Sequence, residues 1–197
     1  MTSTERQSPE TIESAEITHA ARYHFAKKFL KSDQITLDAP CGTGYGTSII
    51  TQIGAKCRGI DISKDAINHA NTFFSNDLND FLVGNIEKIN NYFNDRFDAV
   101  ISFEGIEHIS NQEDFLDGVK KILKKNGVLI ISTPRKPHGN PFHIKELELE
   151  EFVNLLNYRF KVISIYTQAF TDFQPYDERK DYSIYKKLNY IAICRKK

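Results

Sequence analysis

The sequence predicts an α/β fold, with a mostly parallel sheet packed between two layers of helices. Three observations carry this. Short apolar, β-like runs alternate with helical patterns, which is the signature of βαβ units. A glycine-rich loop with an acid before it, Asp38 then Gly42, Gly44 and Gly46, stands where the first strand turns into a helix. The last two strand-like runs have no convincing helix between them, so they are expected to pair antiparallel at the sheet edge.

Residues 14–30 read as a helix from Ile17, Ala20, Ala21, Phe25 and Phe29, spaced by threes and fours. Ile35–Asp38 is the first strand, and residues 45–53 the helix after the glycine loop. Residues 56–60 form the second strand. Residues 63–74 follow as a helix with Ser63 as its N-cap. Residues 81–83 and 97–101 are the third and fourth strands. Residues 111–124 are amphipathic through Phe115, Leu116, Val119, Ile122 and Leu123. Asn126-Gly127 then turns the chain into the fifth strand, residues 128–132. Residues 149–156 are helical, and residues 161–165 and 190–194 complete seven strands. The segment 168–189 is polar, bears tyrosines and is long for a connection, so it is expected to be a loop covering the site. Residues 1–13 read as a flexible tail.

Composition bounds the function. The chain has 197 residues, enough for one ordinary domain spanning 1–197, with 40% hydrophobic and 26% charged residues. Lysine plus arginine equals aspartate plus glutamate at 26 each, which argues against gripping a nucleic-acid backbone. No apolar run approaches the roughly 18–20 residues needed to span a bilayer, and residues 1–10 lack a signal-peptide core. Cys41, Cys57 and Cys194 are too few and too scattered for a disulfide framework or a zinc ribbon. A cytoplasmic protein acting on a small molecule is expected.

The chemistry starts at the first strand end. In an open α/β sheet a ligand lies beyond the carboxyl ends of the strands. Asp61 ends the second strand, 23 residues after Asp38, where an acid can hold ribose hydroxyls. A dinucleotide oxidoreductase would prefer G-x-G-x-x-G with a pyrophosphate on the helix N-terminus. Here the pattern is G-x-G-x-G with a carboxylate before it. That carboxylate repels phosphate and suits a ligand carrying an ammonium and a sulfonium, as S-adenosylmethionine does.

From residue 17 to residue 196 the chain resembles the class I S-adenosylmethionine-dependent methyltransferases. Leu37-Asp38-Ala39-Pro40-Cys41-Gly42-Thr43-Gly44-Tyr45-Gly46 is similar to their first motif. Gly59-Ile60-Asp61-Ile62-Ser63, Val83-Gly84-Asn85-Ile86, the run from Phe97 to Phe103-Glu104, and Ile122 to Leu129 are similar to the later motifs. The resemblance implies a Rossmann-like three-layer sandwich with seven strands, the last antiparallel. It implies that Asp38 meets the amino end of the cofactor through the loop containing Ala39 and Thr43. Gly42 and Gly44 would let the backbone pass close. Asp61 would hold the ribose, with Ile62 on the adenine. Asn85 would face the adenine where an aspartate is common, with Ile86 beside it and Phe103 at the fourth strand end. His19, Arg22 and Tyr23 match an H-x-x-R-Y segment placed over the cofactor in some relatives.

A second signal follows the fourth strand. If residues 103–108 are helical, Glu104, Glu107 and His108 share a face at i, i+3 and i+4, and could bind a divalent cation or share protons. His143, on the loop after the fifth strand, could swing in as a fourth ligand. His138 has no comparable partners in the sequence. The E-x-x-E-H pattern resembles the ubiquinone-pathway O-methyltransferases and the small-RNA 3′-terminal 2′-O-methyltransferases. That resemblance implies methylation of one hydroxyl of a vicinal pair, with Mg²⁺ or another divalent ion on Glu104, Glu107, His108 and His143. The metal-free alternative uses Glu104, His108 or His143 as base or substrate anchor. The acceptor is expected to be a sugar, glycan precursor or catechol-like molecule. The zero net charge weighs against RNA, and a non-catalytic cofactor-binding partner is the remaining alternative.

Overall fold

The computed structural model describes residues 7–93, 96–185 and 187–197. The elements run α1 (Ile17–Ala26), β1 (Ile35–Asp38), α2 (Tyr45–Thr51), β2 (Lys56–Asp61), α3 (Lys64–Phe73), β3 (Asn79–Val83), β4 (Phe97–Ser102), α4 (Gln112–Ile122), β5 (Leu123–Pro134), α5 (Leu149–Asn157), β6 (Phe160–Ala169), β7 (Asp172–Pro175) and β8 (Asn189–Lys196). One sheet holds all eight strands in the order β3-β2-β1-β4-β5-β8-β6-β7. β1 to β5 run parallel, and β8 enters antiparallel between β5 and β6.

Side-chain alternation along the strands divides the interior into two cores. Val100, Leu129, Ile131, Ala192 and Cys194 face α4 and α5, where they meet Phe115, Leu116, Phe152 and Leu156. Their neighbours Ala99, Ile101, Ile130, Ile191 and Ile193 face the other way, onto Phe25 of α1 and Ile49 and Ile50 of α2. A strand buried on both faces reads as a continuous apolar run, which is why residues 128–131 show no alternation in sequence. The result is the expected Rossmann-like three-layer sandwich.

Several boundaries differ from the sequence reading, and three of the differences bear on the fold. α1 gives way to a 3₁₀ turn, Lys27–Phe29, rather than running on to residue 30. α4, capped by the Asn111 side chain, stops at Ile122 because Leu123 already pairs with Phe97. The segment expected as one long loop contains an eighth strand, with β7 pairing back on β6 from Ala169↔Asp172 to Tyr166↔Pro175. Asp172-Phe173-Gln174-Pro175 has little strand propensity of its own, and its pairing with β6 supplies the order. Of the tail, residues 1–6 lie outside the described residues. From Gln7 onward the chain lies across the sheet end, with Pro9 buried and its carbonyl 2.8 Å from His69 Nε2.

Sheet order reverses between β1 and β4, so the crevice outside their carboxyl ends is the topological switch point. There the chain leaves β1 through Asp38, β2 through Asp61 and β4 through Ser102.

Candidate active site

A cavity of about 1440 Å³ opens at this switch point. That exceeds the roughly 300–1,000 Å³ of a single-ligand cleft, leaving room for a cofactor and an acceptor together.

Its floor is the glycine loop. Gly42 N–H donates to Asp61 Oδ2 at 3.0 Å and Ser63 N–H to Oδ1 at 2.9 Å, so one carboxylate ties the loop to the start of α3. Gly44 holds φ +92° as the residue before α2, and a Cβ there would lie 2.7 Å from the Ala70 Cβ. Gly46 lies under Tyr23, whose ring a Cβ would overlap at 2.0 Å. Asp38 is fully buried behind the loop and accepts from Thr47 Oγ1 at 2.8 Å and Tyr23 Oη at 3.2 Å. Burial pushes its carboxyl up to about 7, against the pull of the Thr47 and Tyr23 bonds and with a further push from Asp61.

That value makes a prediction. The folded chain holds the Asp38 proton between about pH 4 and 7 while the unfolded chain releases it. This group's contribution to stability is therefore present below about pH 4 and lost as pH rises to about 7. An Asp38→Asn chain lacks this loss. The difference in melting temperature, variant minus parent, should grow in the variant's favour from pH 4 to 7 and level off above, and a pH-independent difference would contradict the buried protonated acid.

One wall comes from α1. Arg22 is buried; its Nη2 donates to Glu104 at 2.8 Å and its Nη1 to Gln168 at 3.2 Å. His19 Nε2 lies 3.4 Å from the same Glu104 carboxylate. Burial pushes Glu104 up, but Arg22, His19, His138 and a bond from Asn189 outweigh it and hold the carboxyl below the usual range. Tyr23 packs edge-on to Phe103 with centroids 5.0 Å apart.

The far end holds the histidines. Glu104 adopts φ +48° and Gly105 sits against Pro40, so no helix starts there. Only a 3₁₀ turn forms, Ile106–His108. Glu104 lies before this turn on a left-handed backbone, and Glu107 and His108, adjacent at about three residues per turn, point in different directions, so the three do not share the expected helix face. The site assembles differently. One ligand atom each from Glu107, His108 and His143 lie within 4.8 Å of one another, while Glu104 turns to Arg22 and His19. Glu107 is fully buried, and its carbonyl accepts the Ile144 and Lys145 N–H groups, drawing the post-β5 loop inward. His108 Nδ1 lies 3.1 Å from the Phe142 carbonyl and His143 Nδ1 2.7 Å from Glu146 Oε1. A carbonyl or carboxylate only accepts, so both Nδ1 atoms donate and each neutral ring keeps its lone pair on Nε2.

Of the residues expected at the cofactor, Arg22, Tyr23, Gly42, Thr43, Asp61, Ile62, Asn85, Ile86 and Phe103 line the cavity. Asp38 and Ala39 lie fully buried beneath it, and Gly44 packs on α3. Asn85 spends its Oδ1 on the Glu87 N–H. Two lining residues lack any sequence signal of the kind that marks the loop. Gln7 joins the cavity through bonds to Tyr45 and Thr43. His138 stacks on His143 at 5.0 Å. The cue for His138 was its place on the loop leaving β5, five residues before His143.

This strand order, the glycine loop after β1 and the acid ending β2 define the class I methyltransferase group, for which S-adenosylmethionine is the methyl donor. A model of the methyltransferase domain matches residues 30–187, and the chain belongs to that family of methyl-transferring enzymes. A probable S-adenosylmethionine-dependent methyltransferase of Mycolicibacterium smegmatis is 30% identical over 61% of this chain and 49% of its own. The mitochondrial ubiquinone biosynthesis O-methyltransferase of Dictyostelium discoideum is 39% identical over 51% of this chain and 35% of its own. The chain thus spans less than half the length of these curated relatives. In fold it superposes on a TehB-like S-adenosylmethionine-dependent methyltransferase from Corynebacterium glutamicum with a TM-score of 0.71, 16% identity and coverage of 90% and 88%. Among the described residues no helix is long and apolar enough to cross a membrane.

Proposed function

We propose that the chain transfers the methyl group of S-adenosylmethionine to an oxygen of a small hydroxylated acceptor, one hydroxyl of a vicinal pair. The observation that carries this is the convergence of Glu107, His108 and His143 in the same cavity as the glycine loop and Asp61. Cofactor and acceptor then occupy opposite ends of one space. The oxygen attacks the methyl carbon in line, the S–CH₃ bond breaks as the O–CH₃ bond forms, and S-adenosylhomocysteine leaves.

The sulfonium is already activated, so the protein's work is alignment and removal of the hydroxyl proton. An Nε2 lone pair of His143, whose Nδ1–H is held by Glu146, takes that proton. His108 anchors the neighbouring hydroxyl. Glu104, kept ionised by Arg22 and His19, presents negative charge to the cationic cofactor. One carboxylate and two imidazoles also suit a divalent ion such as Zn²⁺ or Fe²⁺ better than Mg²⁺, which prefers an all-oxygen shell. In a metal-bound form Glu107, His108 and His143 would hold that ion in place of the base and anchor roles just given, and it would supply Lewis acidity to the acceptor oxygen.

With methyl 3,4-dihydroxybenzoate as an uncharged vicinal-diol probe, the product should gain one methyl group on oxygen by mass spectrometry. His143→Ala and Glu107→Gln should each lower turnover about 100-fold or more, with S-adenosylmethionine affinity within about threefold of the parent, since both lie at the acceptor end. Unchanged turnover in both variants would remove the cluster from the reaction.

A further inference from the structure

We propose that the acceptor is an uncharged, amphipathic molecule whose apolar body rests on Phe142, Phe170 and Ile184 while its hydroxylated end reaches the histidine cluster. This rests on the methyl-transfer reading of that cluster and narrows its acceptor.

Phe142, Phe170 and Ile184 are 49%, 68% and 73% exposed, yet all three line the cavity. They come from separate segments: the loop after β5, the β6–β7 turn and the chain between β7 and β8. A single exposed apolar side chain is ordinary; three converging on one cavity mark a ligand surface.

Phe170 is the most telling. It adopts φ +56°, the left-handed conformation that a two-residue hairpin asks of its first residue, a place usually given to glycine or asparagine. A phenylalanine there is backbone-strained, and with the residue 68% exposed its ring is left mostly in solvent. Such strain at a cavity rim points to function. The rim is also held in place. The Gln168 amide donates to the Phe170 carbonyl at 2.7 Å and to the Thr18 carbonyl at 2.8 Å, tying the turn to α1. Arg135 donates to the Tyr185 carbonyl at 3.1 Å, fixing the chain beside Ile184.

Charge supplies the other half. Among the described lining residues the permanently charged cations are Arg22 and Lys187, beside the four imidazoles of His19, His108, His138 and His143, and Arg22 is already paired with Glu104. Carboxylates outnumber those two cations, with Glu16, Glu104 and Glu107 near the acceptor end and Asp61 and Glu87 on the cofactor side. A phosphorylated or carboxylated acceptor would meet net repulsion there, which disfavours nucleotide-linked sugars and an RNA terminus.

Isothermal titration of the protein saturated with S-adenosylhomocysteine tests this with 3,4-dihydroxybenzoate and its methyl, butyl and hexyl esters. A fully buried methylene is worth about a fourfold gain in affinity. With partial burial, the hexyl ester should bind about 30-fold tighter than the methyl ester, and the free acid weakest. Phe142→Ser/Phe170→Ser should reduce the methyl-to-hexyl gain to about fivefold or less, with S-adenosylhomocysteine affinity and melting temperature confirming an intact fold. Chain-length-independent binding, a free acid that binds tighter than the methyl ester, or a gain retained by the double variant would each overturn the proposal. Methyl transfer without the chain-length gain would refute this inference and leave the reaction standing. The gain without transfer would support this surface and refute the reaction.

Discussion

Gly46→Ala is expected to destabilise the protein by about 3 kcal/mol, lowering its melting temperature by roughly 10 °C. The added Cβ would fall 2.0 Å from the Tyr23 ring. A flexible side chain could swing away from such a contact, but Tyr23 cannot. Its ring is wedged edge-on between Phe103 and Tyr45, and its hydroxyl is bonded to the buried Asp38. To admit the methyl group, α1 must lift from α2, which also pulls Arg22 from Glu104. Cofactor binding should weaken together with stability. Thermal denaturation of the single variants and of Gly46→Ala/Tyr23→Ala gives the check. Removing the ring makes room, so the double variant should cost clearly less than the sum of the singles. Additive losses would show that the ring is not the obstacle.

Asp61→Ala should weaken S-adenosylmethionine binding by about 10- to 100-fold, the scale of one or two lost charge-assisted hydrogen bonds. Its carboxylate accepts two backbone N–H groups, from Gly42 and Ser63, and faces the cavity. The alanine variant therefore loses both the brace of the glycine loop and the proposed ribose contact. Asp61→Asn separates the two effects. Its amide oxygen can still accept one N–H, but its NH₂ cannot accept the other or receive a ribose hydroxyl. Titration with S-adenosylhomocysteine should rank parent, then asparagine, then alanine. Equal affinity in all three would place the ribose elsewhere.

Much of this architecture was legible in the amino-acid order because it is local. Period-two and period-3.6 patterns mark the strands and helices. Ser63 caps α3 as read, accepting from the Ala66 N–H. The acid at the end of β2 and the glycines after β1 are local as well, since a tight turn and a strand end are set by neighbouring residues. Short segments whose order depends on partners far along the chain were not legible. β7 is a strand because β6 pairs with it, and β5 begins early because Phe97 of β4 reaches Leu123. Gln7 enters the site because the glycine loop, α1 and α2 present Thr43, His19 and Tyr45 to it.

The acidic and imidazole side chains of the site divide along the same line. The sequence by itself determined which residue types were available: Glu104, Glu107, His108 and His143, two carboxylates and two imidazoles near strand ends. Their grouping was decided in three dimensions. A left-handed Glu104 and a Gly105 pressed against Pro40 break the helix that would have aligned them. Arg22, from a helix more than 80 residues earlier, then claims Glu104, and the loop after β5 brings His138 and His143 to the others. Helical spacing predicts which side chains can share a face only while the backbone stays helical. Once the chain turns, the buried partner with the opposite charge decides where a carboxylate goes.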